Sequence, residues 1–182
     1  MILWHVGATV AIARYVFRDP AMDLRWVAAG SLLPDVLDKP IGALFFNDIF
    51  GTHRLWAHAL LFPVLLLFGS ILATRRAGAL RKGLIGLVIG MFIHLLLDGA
   101  WVDPEAFLWP LFGFEFPEII DSDLGALVSR MVRDPLVWIG EAAGLGYLAW
   151  LWLRRLSPGG GLRTFARDGK IPLGTAGGAP HE

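Results

Sequence analysis

The stretch FIHLLLDGAW, Phe92 to Trp101, carries a histidine and an aspartate four residues apart in an otherwise apolar run. On a helix, positions i and i+4 share a face, so His94 and Asp98 project together. Ionisable groups in lipid are costly and by default mark a functional site. Other residues repeat the theme. His5 lies in the first apolar segment, and SLLPDVLDKP carries Asp35 and Asp38 at i and i+3. GTHRLWAHALL contributes His53, Arg54 and His58. Arg54 and His58 share a helix face, whereas His53 lies about 140° around from His58 on an ideal helix. His53 and His58 converge only if the helix starts after His53.

Imidazole and carboxylate ligands without thiolate suit Zn²⁺, and also Mn²⁺ or Fe²⁺. The chain has no cysteine. His5, His58, His94, Asp35, Asp38 and Asp98 exceed the ligand set of one tetrahedral ion. They fit either two ions about 3.5–4 Å apart or one ion with outer carboxylates fixing the histidines. A catalytic site keeps a position open for water and lowers its pKa toward about 7. Arg54 and Lys39 are placed to hold a phosphate or carboxylate oxygen, and His53 to protonate a leaving group. Glu141, in WIGEAAGLG, is a further acid inside an apolar segment, a candidate base or ligand, or a partner for an arginine. Each residue also has a plain structural reading: a packed histidine, an interhelical hydrogen bond, a solvated helix end, or a snorkelling arginine.

The elements that must position these groups are apolar. Of 182 residues 55% are hydrophobic, and 18% are charged, against roughly 25% in soluble domains. Apolar segments cover about 1–17, 24–37, 55–74, 83–102 and 136–153. A span needs about 20 apolar residues. The third to fifth segments reach that length, the first is marginal, and the second is short or re-entrant. Alternation of the strand type is absent. The expectation is an all-α integral membrane bundle of about five helices over residues 1–156, with a flexible Gly- and Pro-rich tail over 157–182. Gly86/Gly90 and Gly140/Gly144 suit close helix contact. The formal net charge is zero, which offers no field for nucleic acid. Basic clusters at Arg14–Arg25, Arg75–Lys82 and Arg154–Lys170 predict that those ends face the cytoplasm. That topology puts His5, Asp35, Asp38, His58, His94 and Asp98 at one depth on the outer side.

At these residues the sequence resembles the membrane-bound metal-dependent hydrolase family, the YdjM-like group. The resemblance rests on His5, on GSLLPDVLD (Gly30 to Asp38), on Arg54 with AHA around His58, on HLLLD (His94 to Asp98) and on Trp109-Pro110. It covers roughly residues 1–112. The second aspartate falls three residues after the first rather than two, Lys39 stands where a histidine often follows, and Ala57 and Ala59 replace the usual Thr and Ser. The resemblance implies a metal-dependent hydrolase distantly similar to zinc-dependent phospholipase C proteins. The expected function is hydrolysis of a phosphoester in a membrane lipid or lipid-linked substrate. The expected place is the extracytoplasmic face of a bacterial or archaeal cell membrane. The expected cofactor is one or two divalent ions, zinc foremost. The rivals are a divalent-ion transporter or channel, whose ionisable groups would line successive depths, and a non-catalytic membrane protein with a structural metal or polar cluster.

Overall fold

Caps and breakers divide the apolar chain into helices. The computed structural model describes residues 1–45, 52, 54–117 and 124–171. Helix α1 runs Ile2–Ile12 and continues as a π-helical turn to Phe17, where Arg18 takes a left-handed conformation. The Asp23 carboxylate caps α2 (Leu24–Gly30) by accepting from the Arg25 amide. Pro34 lacks an N–H and cannot carry on the hydrogen-bond ladder of α2, but is tolerated in the first turn of a new helix, so α3 is a separate helix, Leu33–Lys39. A 3₁₀ turn, Trp56–His58, precedes α4 (Leu61–Ala73). Helix α5 (Ala79–Leu97) ends where Asp98 caps it and Gly99 turns left-handed at φ 61°, a conformation that favours glycine. Helix α6 is Leu124–Arg133. Helix α7 (Pro135–Leu151) starts at an Asp134 cap with proline at its first position, and a π-helical turn extends it to Leu156. Helix α8 is Gly161–Asp168.

The all-helical expectation agrees with this architecture: the described residues contain no strand. The count of five spans is matched only in part. Among the described residues two helices are long and apolar enough to cross a membrane, Ala79–Leu97 and Pro135–Leu156. The first and third segments form shorter apolar helices, Ile2–Phe17 and Leu61–Ala73, because the third spends its first residues on the turn that carries His58. The second segment is broken between α2 and α3. Residues 157–171, expected to be flexible, include α8 and fold back: the Leu24 amide donates to Gly169 at 2.8 Å, and buried Arg14 donates to the Ile171 carbonyl at 2.9 Å. Residues 172–182 lie outside the described residues.

Helix α2 lies along α5, α1 along α7, and α4 against α5. Val10, Ala13, Leu24, Val27, Leu151, Leu156 and Ile171 form one apolar core where α1, α2, α7 and the tail meet. Two helix pairs approach backbone to backbone. A Cβ on Gly90 would stand 2.1 Å from the Val27 carbonyl oxygen, and one on Gly144 would stand 2.2 Å from that of Leu3. Gly86 and Gly140 would meet only ordinary contacts, at 3.5 and 3.4 Å. The expected pairs thus divide into one essential and one tolerant member each. Gly90→Ala must drive α2 from α5 and is expected to cost about 1–3 kcal/mol or more. Gly86→Ala is expected to change stability by less than about 1 kcal/mol. Thermal unfolding in detergent of the two variants checks the contrast; equal midpoints would refute the close crossing.

Candidate metal centre

Four helical pieces converge at one end of the bundle. Helix α3 brings Asp35, Asp38 and Lys39; the turn before α4 brings His58; the last turn of α5 brings His94 and its cap Asp98; the first turns of α1 bring His5. His5, Asp38, His58 and His94 are buried. One ligand atom from each of Asp35, His58, His94 and Asp98 lies within 4.8 Å of all the others. His58 Nε2 and His94 Nε2 are 3.4 Å apart. Asp35 Oδ1 is 3.4 Å from His58 Nε2 and 3.7 Å from His94 Nε2. Asp98 Oδ2 is 3.8 Å from each of those nitrogens. Ligand atoms around a tetrahedral zinc with bonds near 2.0–2.1 Å stand roughly 3.3–3.4 Å apart, so a small contraction closes the set on one ion.

The remaining polar contacts aim these atoms. His94 Nδ1 is 2.7 Å from the Ser31 carbonyl oxygen. A carbonyl only accepts, so Nδ1 donates, and the neutral ring presents a lone pair at Nε2. His58 Nδ1 donates in the same way to Asp38 Oδ2 at 2.8 Å. With both rings neutral, two lone pairs face each other at 3.4 Å beside two carboxylate oxygens, and they repel unless a cation stands between them. This donor set fits a divalent ion, and the carboxylate–histidine–metal relay is a common way to hold a ligating ring.

The six sequence-expected ligands therefore separate into two layers. Asp38 does not reach the centre. Its two oxygens accept from the amides of Leu55 (2.9 Å), Ala57 (3.1 Å) and His58 (3.0 Å) as well as from His58 Nδ1. It shapes the turn that presents His58. His5 also stays outside the group of four: its Nδ1 meets the Met1 carbonyl, and its Nε2 lies 2.9 Å from Asp98 Oδ1, steadying that ligand. His5→Ala is expected to leave about one equivalent of metal but weaken its affinity about 10–100-fold. Competition with a calibrated chelator measures this, and unchanged affinity would assign His5 a packing role only.

Both expected anion-binding cations stand at the centre. Lys39 Nζ is 2.6 Å from Asp35 Oδ2, and Arg54 Nη2 is 3.6 Å from Asp98 Oδ2 and 3.3 Å from the Asp98 carbonyl. Each keeps about a quarter of its side chain exposed. The Lys39 ammonium beside it favours the ionised form of the Asp35 carboxylate. Glu141 is not part of the cluster: its Oε2 accepts from the Leu3 amide at 3.0 Å and ties the start of α1 to α7. His53 lies outside the described residues.

The Ser31 carbonyl was absent from the expected set. A backbone acceptor carries no side-chain signature, and the signal that was available is the helix break before Pro34, which leaves this carbonyl outside α2 and α3. A ring group beside the turn was also missed. Trp56 meets Phe116 edge-on at 5.7 Å, and Trp109 stacks on Phe116 at 5.5 Å and 15°.

Residues 2–157 match the family described as YdjM inner membrane protein. The matched range contains the whole cluster. A protein of Bacillus subtilis (strain 168), described as Uncharacterized protein YvsG, is 29% identical over 119 residues, covering 60% of this chain and 70% of that protein. No solved structure matches the chain.

Proposed function

The chain belongs to the YdjM inner membrane protein family, and from that premise we propose that it is a membrane-embedded metal-dependent hydrolase. Its substrate is a phosphoester of a lipid or lipid-linked molecule at the extracytoplasmic face. The observation that carries this reading is the pair of imidazole Nε2 atoms at 3.4 Å, both facing Asp35 and Asp98. Helices α1 and α4 complete the membrane-embedded body beside the two longer helices, and the basic ends of the helices face the cytoplasm.

Asp35, His58, His94 and Asp98 would hold one ion, zinc foremost with manganese or iron as substitutes. Such an ion supplies Lewis acidity for activating water and polarising a phosphoryl oxygen. The protein's own groups do the rest. Arg54 and Lys39 flank the cluster on two sides and bind the non-bridging oxygens of the phosphate. As charge grows on those oxygens in the transition state, the guanidinium of Arg54 stabilises it without reorganisation. Asp38 and the Ser31 carbonyl keep both rings in the tautomer that presents Nε2 inward. His53 donates a proton to the leaving oxygen.

Arg54→Ala separates catalysis from mere metal storage. Protein purified with zinc or manganese is assayed for metal content and for cleavage of phospholipids and isoprenoid phosphates. The variant is expected to keep its metal and lose about 10²–10³-fold in turnover. A fully metal-loaded natural chain with no turnover on any phosphoester would end the hydrolytic reading in favour of a structural metal. The four candidate ligand atoms all lie within 4.8 Å of one another rather than being strung along a path, which disfavours ion conduction.

A further inference from the structure

The segment that follows α5 exposes apolar side chains that no packing requirement explains. From Ala106 to Phe114 nine successive residues carry no charge. Leu111 and Phe114 are each 80% exposed, and Phe112, Val102 and Trp101 are also largely uncovered. A loop facing water rarely looks like this. Yet the segment is firmly built. Asp103 accepts from the Ala106 amide and caps the helical turn Pro104–Phe107. The Leu60 amide donates to the Phe107 carbonyl at 2.8 Å. Trp109 Nε1 donates to the Phe114 carbonyl at 3.1 Å. The stacked pair Trp109 and Phe116 rests on Trp56, two residues before His58.

We propose that residues 101–116 form an arm that enters the lipid leaflet beside the metal centre and admits an amphiphilic substrate sideways from the bilayer. The surface the arm fits is the boundary between headgroups and hydrocarbon. Four features favour lipid over another protein. The arm starts four residues beyond the end of α5, a helix long and apolar enough to cross a membrane, so it lies at headgroup depth and continues that helix's apolar surface. Leu136, Trp138 and Ile139 at the start of α7 are exposed too. Tryptophan rings at such depths prefer the interface, and a prefolded arm pays little ordering entropy on insertion. The access route rests on the hydrolytic reading; the lipid contact does not.

The absence of cysteine makes a single label unique. A nitroxide on Phe112→Cys, in nanodiscs of phosphatidylethanolamine and phosphatidylglycerol, is expected to be relaxed by oxygen and shielded from a water-soluble nickel chelate. A label at Leu72→Cys gives the lipid reference and one at Arg76→Cys the water reference. A Phe112 label that behaves like Arg76, or one shielded from both reagents as in a contact between copies, overturns the insertion. The variant with Leu111, Phe112 and Phe114 all changed to serine then tests access. It is expected to lose about tenfold or more in turnover of a vesicle-embedded phosphoester, while metal content and cleavage of a water-soluble phosphodiester stay unchanged. Equal loss on both substrates, or loss on neither, overturns the access route. No cleavage of either substrate by the metal-loaded natural chain, with the label still in lipid, is failure of the hydrolytic reading instead.

Discussion

Protein carrying both His94→Ala and Asp98→Ala should emerge from purification without zinc or manganese, while the natural chain holds about one equivalent. The double substitution removes two of the four atoms that lie within 4.8 Å of one another, and the two remaining ligands cannot close a tetrahedral shell. Ligand binding by the natural chain should also raise its unfolding temperature, by about 2.7 kcal/mol of stabilisation when free metal reaches a hundred times its Kd. The variant should show no such shift. The sign with pH is fixed by the ligands: His58 and His94 must present an unprotonated Nε2, so protons compete with the metal and its stabilisation weakens as pH falls. Elemental analysis beside melting curves at two pH values measures all three. A double variant that retains a full equivalent would move the metal elsewhere or deny it altogether.

Asp38→Ala should be the most damaging single change in the cluster, although Asp38 is not itself one of the four candidate ligands. Its carboxylate accepts from three backbone amides and from His58 Nδ1, and it is buried. Each buried donor left unpaired costs about 1–3 kcal/mol, and few waters can enter to replace the carboxylate. A loss of about 3 kcal/mol or more is expected, together with a fall in metal affinity of about a hundredfold as His58 loses its orientation. Asp38→Asn keeps an acceptor but turns an amide N–H₂ toward other donors, so it should recover only part of the loss. Chemical or thermal unfolding with and without zinc decides this. An Asp38→Ala protein that melts like the natural chain and keeps its metal would show that the turn 55–58 is held by something else.

The site was readable where its geometry is local. His94 and Asp98 announce themselves by helical spacing, and the same rule put Asp35 and Asp38, at i and i+3, on one short helix. The division of labour was not readable. Asp35 and Asp38 look alike in SLLPDVLDKP, and only the position of the 55–58 backbone, some twenty residues away, leaves one in the group of four and makes the other a scaffold. His5 looked like a ligand because its type is right, but its ring reaches Asp98 Oδ1 rather than the shared centre. The helical class followed from apolar runs without alternation. The number of long helices did not, because a run of apolar residues such as 55–74 does not disclose that its first turn is spent on presenting a histidine. In the tail, the glycines and proline around 157–160 give no sign of the helix Gly161–Asp168 that follows them.

Helix α1 is fastened at both ends. Glu141 grips its first turn through the Leu3 amide, and Arg14, just past its last turn, is tied to the carbonyl of Ile171. A rod clamped at two points cannot roll about its long axis. His5 sits on that rod, and its aim at Asp98 is an angle of roll. The last described residues of the chain, tied to the opposite end of α1, thus act as a torsional stop for a ring at the edge of the cluster. Shortening the protein before residue 171 would remove no ligand, yet it would leave α1 free to turn and Asp98 without a steady neighbour.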